Sequence, residues 1–316
     1  MAASTSVGLT GAVTLRSART RPFLIAVVVA GLSCTSTSVE STGSNDGFGD
    51  AARAPITKLA GEIRLHQFPL GAHAWAAFLA TPIAASSAGA ESLIEYEYAS
   101  TASEGPCTLR LKPSCSEPCR PGTMCLGPDT CAVVTQPLLV DEGELHVAGS
   151  VLVPDIRMWF EGQNQPYVSD PPPGARSLFR GGESLEVRGG RSSMAFRGTI
   201  AAPIAVRVTD PDLTTDWHLP LDGPLDLGWE SVASMTMVVT IAVSSQSEAG
   251  IIRCSTADVG ALRVPAWMIA ALPRPPRDSR LEIERTEERT LPTATPGVGV
   301  FVRASQSTWK NTTELR

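Results

Sequence analysis

Met235-Thr-Met-Val-Val-Thr-Ile-Ala-Val243 and Gly250-Ile-Ile-Arg-Cys254 are the two stretches of sequence that decide the fold class. Both are short, mainly apolar runs, and a serine-rich polar segment separates them. Short apolar runs bounded by turn residues are typical of β-strands, whose side chains alternate between the two faces of a sheet. The two stretches therefore predict two β-strands.

The same strand pattern recurs along most of the chain. It is found at residues 62–66, 74–79, 92–98, 107–111, 143–148, 155–160, 184–188, 194–200, 204–208, 225–229, 261–264, 281–285 and 298–302. Residues 265–272 alone are typical of a helix, with Pro265 suited to its first turn and Pro273 to its end. Many short strands and one short helix predict an all-β fold, an antiparallel β-sandwich that is immunoglobulin-like in general architecture. The residues expected in its core are Trp159, Phe196, Trp229 and Val239.

The composition excludes one class of partner. Hydrophobic residues make up 43% of the 316 residues and charged residues 18%, which suits a sizeable core and is unlike a disordered chain. The 27 glycines and 25 prolines favour many turns over long helices. The net charge is -6 and the arginines are scattered. We therefore expect no nucleic-acid partner, because such binding needs clustered Lys and Arg to neutralise phosphates.

The N-terminus is typical of an export signal. Arg16, Arg19 and Arg21 precede an apolar run at residues 23–32, and residues 1–22 contain no Asp or Glu. The apolar run is shorter than the roughly 20 residues that a membrane-spanning helix needs. A basic segment followed by a short apolar one predicts a signal peptide over residues 1–34.

The end of this signal resembles the lipobox of bacterial lipoproteins, in which a small residue precedes the cysteine that receives the lipid. Ser33 fits this pattern before Cys34, whereas the two residues before Ser33 depart from it, so ordinary cleavage nearby is the alternative. The polar segment 35–54 suits a flexible tether. Thr35 stands where an Asp commonly retains lipoproteins at the inner membrane. We expect an exported protein, lipid-anchored through Cys34 at the outer membrane or cell surface, with a soluble secreted or periplasmic protein as the alternative.

The seven cysteines predict disulfides. Assigning Cys34 to a lipid leaves an even number, and five of the six fall in the Gly- and Pro-rich segment 107–131, which cannot build a core of its own. We call Cys115, Cys119, Cys125 and Cys131 the cysteine cluster. Two bridges within this cluster would leave Cys107 and Cys254 to pair across the main domain, although spacing does not determine connectivity. The cysteines assigned to disulfides are Cys107, Cys115, Cys119, Cys125, Cys131 and Cys254.

Zinc ligation by these cysteines is the alternative to disulfide bonding. Structural zinc sites usually present cysteine pairs two to four residues apart. The gaps after Cys115 are three, five and five residues, with no histidine nearby, so disulfides are favoured.

The sequence contains no complete catalytic motif. It has no Gly-x-Ser-x-Gly elbow, no His-Glu-x-x-His and no phosphate-binding glycine loop that opens a helix. Ser307 and Lys310 have the serine–lysine spacing of penicillin-recognising enzymes, but no Lys-Thr-Gly partner exists, so we interpret the spacing as chance. The four histidines lie far apart and predict no shared site; they are His66, His73, His146 and His218. We predict no catalytic residue and no cofactor.

One acidic loop is a candidate calcium site. It carries Asp210, Asp212 and Asp216, and carboxylate oxygens are the ligands that calcium prefers. The loop lacks the glycine and the glutamate of an EF-hand. A solvated turn is the favoured interpretation, because Asp and Pro are common in turns for backbone reasons.

The order of motifs carries a resemblance. A C-x3-C-x5-C-x5-C element precedes the segments 142–149, 177–183, 195–203 and 252–260. This order resembles the uncharacterised secreted lipoproteins, with a Cys-rich element and a β-sandwich domain, that myxobacterial-type genomes encode in many copies. The resemblance covers about residues 105–275 and rests on glycines, prolines and cysteines, so it implies a fold and no catalytic residue.

These patterns predict an organisation and a function. The leading hypothesis is a non-enzymatic envelope lipoprotein whose sandwich binds a protein or glycan partner or has a structural role, with the membrane contacted through an N-terminal lipid. The alternatives are a secreted hydrolase whose site is assembled only in the fold, and a protease inhibitor acting through the Cys-rich loop at 120–124. The predicted segments are a signal peptide (1–34), a tether (35–54), N-terminal strands (55–111), a disulfide module (112–133), the main sandwich (134–305) and a polar tail (306–316).

Overall fold

The computed structural model describes most of the chain beyond its N-terminal segment. The predicted signal peptide with Cys34, the tether up to residue 53 and the strand predicted at 92–98 lie outside the described residues. Within the described part of the chain, no helix is long and apolar enough to cross a membrane. The described residues are 54–85, 99–113, 115, 117, 119–120, 123–127, 130–133, 138–162, 165–169, 176–214, 217–220, 223–232, 234–245, 248–274 and 278–312.

The predicted all-β fold is confirmed. The one α-helix in the described residues, α1 (Ala266–Ala270), follows Pro265 as the sequence predicts. The strands are β1 (Lys58–Phe68), β2 (Gly71–Ala84), β3 (Ala99–Glu104), β4 (Cys107–Leu111), β5 (Thr123–Gly127), β6 (Thr130–Val133), β7 (Leu145–Ala148), β8 (Asp155–Gly162), β9 (Gln165–Val168), β10 (Ser184–Gly189), β11 (Phe196–Ala201), β12 (Val208–Asp210), β13 (Leu225–Trp229), β14 (Thr236–Ser244), β15 (Ala249–Ala257), β16 (Ala261–Val264), β17 (Asp278–Pro292) and β18 (Val298–Thr312).

Thirteen strands form one sheet, in the order β11-β10-β7-β8-β9-β2-β1-β18-β17-β14-β15-β4-β3. A three-stranded sheet, β12-β13-β16, and the hairpin β5-β6 complete the described strands. Neighbouring strands are antiparallel as predicted, except that β1 and β18 are parallel. These two strands come from opposite ends of the described chain, so no tight hairpin dictates their relative direction.

The long strands β17 and β18 carry two hydrophobic cores on one face of the sheet. Leu281 and Ile283 belong to one core and Leu291 to the other, and alternation along β17 places all three on the same face. The first core includes Ile63, Leu65, Phe78, Leu145, Met158, Tyr167, Leu185, Phe196, Leu291, Val300 and Val302. The second core includes Cys107, Leu109, Trp229, Met237, Val239, Ile241, Ile252, Cys254, Met268, Ile269, Leu281 and Ile283.

Each core is covered by a different second layer. Over the first core the sheet curls back, so that Phe196 of β11 forms a β-bridge with Thr293, the residue directly after β17. Gly198 allows this approach, because a Cβ atom there would lie 2.4 Å from Leu291 Cδ2. Over the second core, the sheet β12-β13-β16 and α1 supply the facing residues. The arrangement is therefore sandwich-like, as predicted.

Three details differ from the sequence-based expectations. Trp159 is 44% exposed, because Met158 takes the core side of β8 and alternation turns its neighbour outward. Residues 306–312, expected to be part of a polar tail, continue β18 because β17 pairs with them to the end. The strand predicted at 204–208 is reduced to β12, which begins at Val208. Phe196, Trp229 and Val239 are buried as predicted.

A buried ion pair lies between the two cores. Its arginine is on β17 and its aspartate directly follows β15. Arg285 Nε donates to Asp258 Oδ2 at 2.8 Å, and the two side chains are 1% and 0% exposed. The Arg285 guanidinium also donates to the backbone carbonyls of Ile204, Ala205 and Glu230. Asp258 accepts further hydrogen bonds from the Trp229 indole at 2.6 Å and from a backbone N–H. Both charges are thus fully compensated where water does not reach them.

Replacing Asp258 with alanine should therefore destabilise the fold strongly. The D258A variant leaves a buried guanidinium unpaired, and we expect the free energy of unfolding to fall by about 3–5 kcal/mol. Urea denaturation measures this change. Asp226→Ala is the matched control, since it removes an exposed partner of Arg263 at 3.6 Å and should cost less than about 1 kcal/mol. Equal losses in the two variants would contradict the central role of the buried pair.

Candidate functional site

The face of the sheet opposite the two cores carries a continuous set of polar side chains. On β18, Arg303, Ser305 and Ser307 alternate with core residues, and the register places them opposite Glu288, Thr286 and Glu284 of β17 and next to β1. We call this set the polar sheet face. It comprises Glu62, Arg64 and His66 of β1, Glu282, Glu284 and Glu288 of β17, and Arg303, Ser305 and Ser307 of β18.

Arg303 is the central cation of the polar sheet face. Its side chain is 3% exposed, its Nη2 lies 3.0 Å from Glu284, and its Nε lies 3.6 Å from Glu288. Beside it on the neighbouring strand, Arg64 is hydrogen-bonded to Glu62. The charges of this face are therefore mostly neutralised within the face itself.

His66 is held through both of its ring nitrogens. Its Nδ1 lies 2.8 Å from Ser305 Oγ and 3.4 Å from Glu284 Oε1. Its Nε2 lies 3.3 Å from Ser307 Oγ and 3.7 Å from Glu282 Oε1. A serine hydroxyl, an imidazole and a carboxylate thus lie in sequence, which is the order of groups found in serine hydrolases.

The pKa of Glu284 is strongly perturbed. Burial raises it, but the positive charge of Arg303, the hydrogen bond and charge of His66 and the hydrogen bond of Ser305 outweigh burial and lower the pKa to about 2. Glu284 is therefore a carboxylate throughout the physiological pH range. It provides the fixed negative charge beside His66.

A second histidine, His73, lies across from His66 on β2. The two rings stack with their centroids 5.2 Å apart, and Phe68 contacts both. Partial burial, followed by the positive charges of His66 and Arg64, lowers the pKa of His73. The fold thus brings together two histidines whose spacing in the sequence did not predict a shared site.

Two tryptophans border the polar sheet face, and both are half-buried. The guanidinium of Arg64 lies over the Trp75 ring, and that of Arg280 lies over the Trp309 ring, each 5.1 Å from the ring centroid. Arg280 is itself paired with Glu282 at 3.0 Å. The face therefore combines paired charges with partly accessible aromatic surface.

The other sequence-based candidates lie away from this face. His146 of β7 has its Nδ1 3.2 Å from Asp155 Oδ1 of β8 and its Nε2 3.5 Å from Glu144 Oε2, just before β7. His218 is exposed. Asp210 and Asp212 are exposed, whereas Asp216 lies outside the described residues. Asp212 accepts hydrogen bonds from the N–H and hydroxyl of Thr214 at 2.9 and 2.7 Å, which lower its pKa. The hydrogen bonds around Asp212 are those of a polar turn.

The predicted disulfide bonding is confirmed, with three bridges. Cys107 pairs with Cys254 inside the second core, directly across β4 and β15. The bridges of the cysteine cluster join Cys115 to Cys125 and Cys119 to Cys131. Several disulfides indicate an oxidising compartment.

The serine–lysine spacing has no catalytic geometry. Ser307 and Lys310 are three positions apart on one strand, so they point to opposite faces of the sheet. Ser307 instead contacts His66, and the spacing of the two residues in the sequence did not predict this contact. The signal for this face was the period-two polar pattern in 282–284 and 303–307, read together with the same pattern in 62–66.

Comparison of the chain with protein-family models, with curated proteins and with solved structures finds no match. The resemblance to secreted myxobacterial-type lipoproteins therefore stays a prediction.

The depressed pKa of Glu284 predicts a pH dependence of stability. A carboxylate with a lowered pKa stabilises the fold above its unfolded pKa of 4.5, and this contribution is lost as the pH falls towards about 2. Glu284→Gln should therefore reduce the free energy of unfolding by about 3 kcal/mol at pH 7, and the difference from the wild type should shrink between pH 4.5 and 2. Urea denaturation across this pH range measures it.

Glu287→Gln is the control for this experiment. Glu287 lies on the other face of β17, and burial raises its pKa, so removing its charge should leave stability at pH 7 unchanged or slightly higher. A pH-independent difference between E284Q and the wild type would contradict the ion-pair interpretation of the polar sheet face.

Proposed function

We propose that this chain is a non-enzymatic, lipid-anchored protein of the cell envelope whose β-sandwich domain binds a hydroxyl-rich glycan on the polar sheet face. The observation that carries the proposal is the polar sheet face itself. It is a set of preorganised hydrogen-bonding side chains, bordered by two tryptophans, on the side of the sheet that neither core uses.

The charge balance favours an uncharged ligand. Four glutamates face three arginines, Arg64, Arg280 and Arg303, and these charges are paired with one another. A strongly ionic ligand would have to break these pairs. Hydroxyl groups can donate to the lone pairs of the partly exposed carboxylates Glu282 and Glu288. They can accept from the N–H groups of Arg64 and Arg280, which are more exposed than Arg303.

The two tryptophans favour a sugar in particular. Trp75 and Trp309 each present an apolar ring beside polar groups, a combination that suits ligands with both C–H and O–H surface. His66, whose ring nitrogens contact the hydroxyls of Ser305 and Ser307, supplies hydrogen-bonding groups between the two rings. Because these groups are fixed by their neighbours, little conformational entropy is lost on binding.

A hydrolase is the second candidate, and the arrangement of Ser307, His66 and Glu284 is the observation that favours it. Against it stands the position of the serine on a paired strand: Ser307 lies opposite Glu284 of β17, one residue beyond the last position that β1 also pairs. β18 lies between β1 and β17 up to Gln306, so its backbone N–H groups there donate within the sheet. Serine hydrolases need N–H donors aimed at the oxyanion that forms in the reaction. Binding without turnover is therefore the better-supported function.

The proposed location extends the oxidising compartment that the disulfides indicate. An apolar segment after three arginines, followed by Ser33 and Cys34, supports export and lipidation. A polar tether after Cys34 would hold the domain away from the lipid surface. The outer membrane or cell surface is the proposed site, because Thr35 stands where an Asp commonly retains lipoproteins at the inner membrane.

Binding is tested with the intact mature protein on a glycan array, followed by calorimetry with the best ligand. His66→Ala and Trp75→Ala should each weaken binding at least about tenfold, the loss of one good contact. His218→Ala, which removes an exposed histidine elsewhere, is the control and should bind as the wild type does. Undiminished binding by both variants would rule out the polar sheet face.

The same measurements separate the competing functions. Conversion of the glycan to products, lost in Ser307→Ala, would assign the chain to the hydrolases. Capture of an envelope protein in a pull-down, with no glycan bound on the array, would replace the glycan with a protein partner. Circular dichroism of each variant verifies that the sheet is intact.

Lipidation is tested by mass spectrometry of the mature N-terminus. We expect an N-terminal Cys34 carrying a diacylglyceryl group, and a Cys34→Ser variant should leave the membrane fraction because its anchor is lost. An unmodified N-terminal residue other than Cys34 would refute the anchor while leaving the binding proposal intact.

A further inference from the structure

The two disulfides of the cysteine cluster lie side by side. Cys119 Sγ lies 3.8 Å from Cys115 Sγ, although the two atoms belong to different bridges. The sulfurs of Cys115, Cys119 and Cys125 all lie within 4.8 Å of one another. The fourth sulfur, of Cys131, is bonded to Cys119, so four sulfurs occupy one small volume.

The hairpin β5-β6 brings together two cysteines whose spacing in the sequence argued against zinc. Cys125 and Cys131 are five residues apart along the chain, but the register of the hairpin places them directly opposite each other. Cys115 and Cys119 have the three-residue gap that structural zinc sites use. Two cysteine pairs therefore converge, as in a four-cysteine zinc site.

The spacing of the sulfurs also fits a metal–thiolate tetrahedron. Zinc–sulfur bonds are about 2.3 Å long, which gives a sulfur–sulfur edge of about 3.8 Å in a tetrahedral site. The distance between Cys115 Sγ and Cys119 Sγ has this value.

The exposure of the bridges makes selective reduction feasible. Cys131 is exposed and the other three cysteines of the cluster are half-buried, whereas Cys107 and Cys254 are 0% exposed. Thiol–disulfide exchange requires access of the attacking thiolate to a sulfur atom. A dithiol therefore reaches the cluster and not the bridge in the second core.

We propose that the cysteine cluster is a redox-gated site for one zinc ion, formed by Cys115, Cys119, Cys125 and Cys131 after reduction. Two dithiol molecules supply four electrons and four protons, each becoming a cyclic disulfide while one protein disulfide becomes two thiols. The four thiols then bind Zn²⁺ as thiolates and release four protons. In the oxidised state the sulfurs have no thiolate to offer, and the site is closed to metal.

The test uses the full mature chain, reduced anaerobically with a dithiol and then freed of the reagent. Thiol counting should give four thiols attributable to the cluster, with mass spectrometry showing the bridge between Cys107 and Cys254 intact. Titration with Co²⁺ should produce the visible and near-ultraviolet bands of tetrahedral cobalt–thiolate coordination, saturating at one ion per chain. Zn²⁺ should abolish these bands and release about four protons per ion near neutral pH.

Matched variants tie the signal to the cluster. Cys119→Ser should weaken Co²⁺ binding at least tenfold in the reduced protein, whereas Thr130→Ala, beside Cys131 on β6, keeps all four ligands and should bind as the wild type does. Far-ultraviolet circular dichroism shows whether each reduced variant retains its strands. Four free thiols without a cobalt–thiolate spectrum, or equal binding by oxidised protein, would overturn the proposal.

Discussion

The buried pair of Arg285 and Asp258 is the interaction on which the two halves of the sandwich depend. Each charge would cost several kcal/mol if it were buried alone, so the fold is stable only when all their partners are in place. Those partners come from the segment after β11, the end of β13 and the turn after β15. One guanidinium thus joins parts of the chain that are 27 to 81 residues away from it.

This pair lies where the apolar face of β17 is interrupted between the two cores. Between Leu281 and Ile283 at one end and Leu291 at the other, the strand has no apolar residue on that face. Arg285 occupies this gap and is satisfied by backbone carbonyls rather than by water. Within the described residues the second layers lie over this face, and the opposite face carries polar side chains. The candidate site is a consequence of how the cores are arranged.

Strand alternation was enough to predict the fold class, and residues 235–243 and 250–254 do form an antiparallel pair, β14 and β15. The same pattern predicted too short a strand for β18. Its last residues are polar and are held in the sheet by pairing with β17 rather than by apolar content. The polar alternation of each strand is visible in the sequence, but the assembly of these strands into one polar sheet face is not. His66 and Ser305 are 239 residues apart, and only the parallel register of β1 and β18 brings them together. The even number of remaining cysteines predicted that six cysteines pair, but it did not predict the partners. Strand register explains only the bridge between Cys107 and Cys254, which lie opposite each other on β4 and β15.

The disulfides divide by burial, and this division separates their physical roles. The bridge between Cys107 and Cys254 closes a loop of 147 residues inside the second core, so its effect is to restrict the unfolded chain and to fix β4 against β15. The bridges of the cluster span only 10 and 12 residues and hold a segment that lacks a hydrophobic core. Reducing these two bridges releases the covalent constraint on this local segment, and the main sheet stays paired. A site built on these four sulfurs can therefore respond to redox conditions without loss of the domain that carries the polar sheet face.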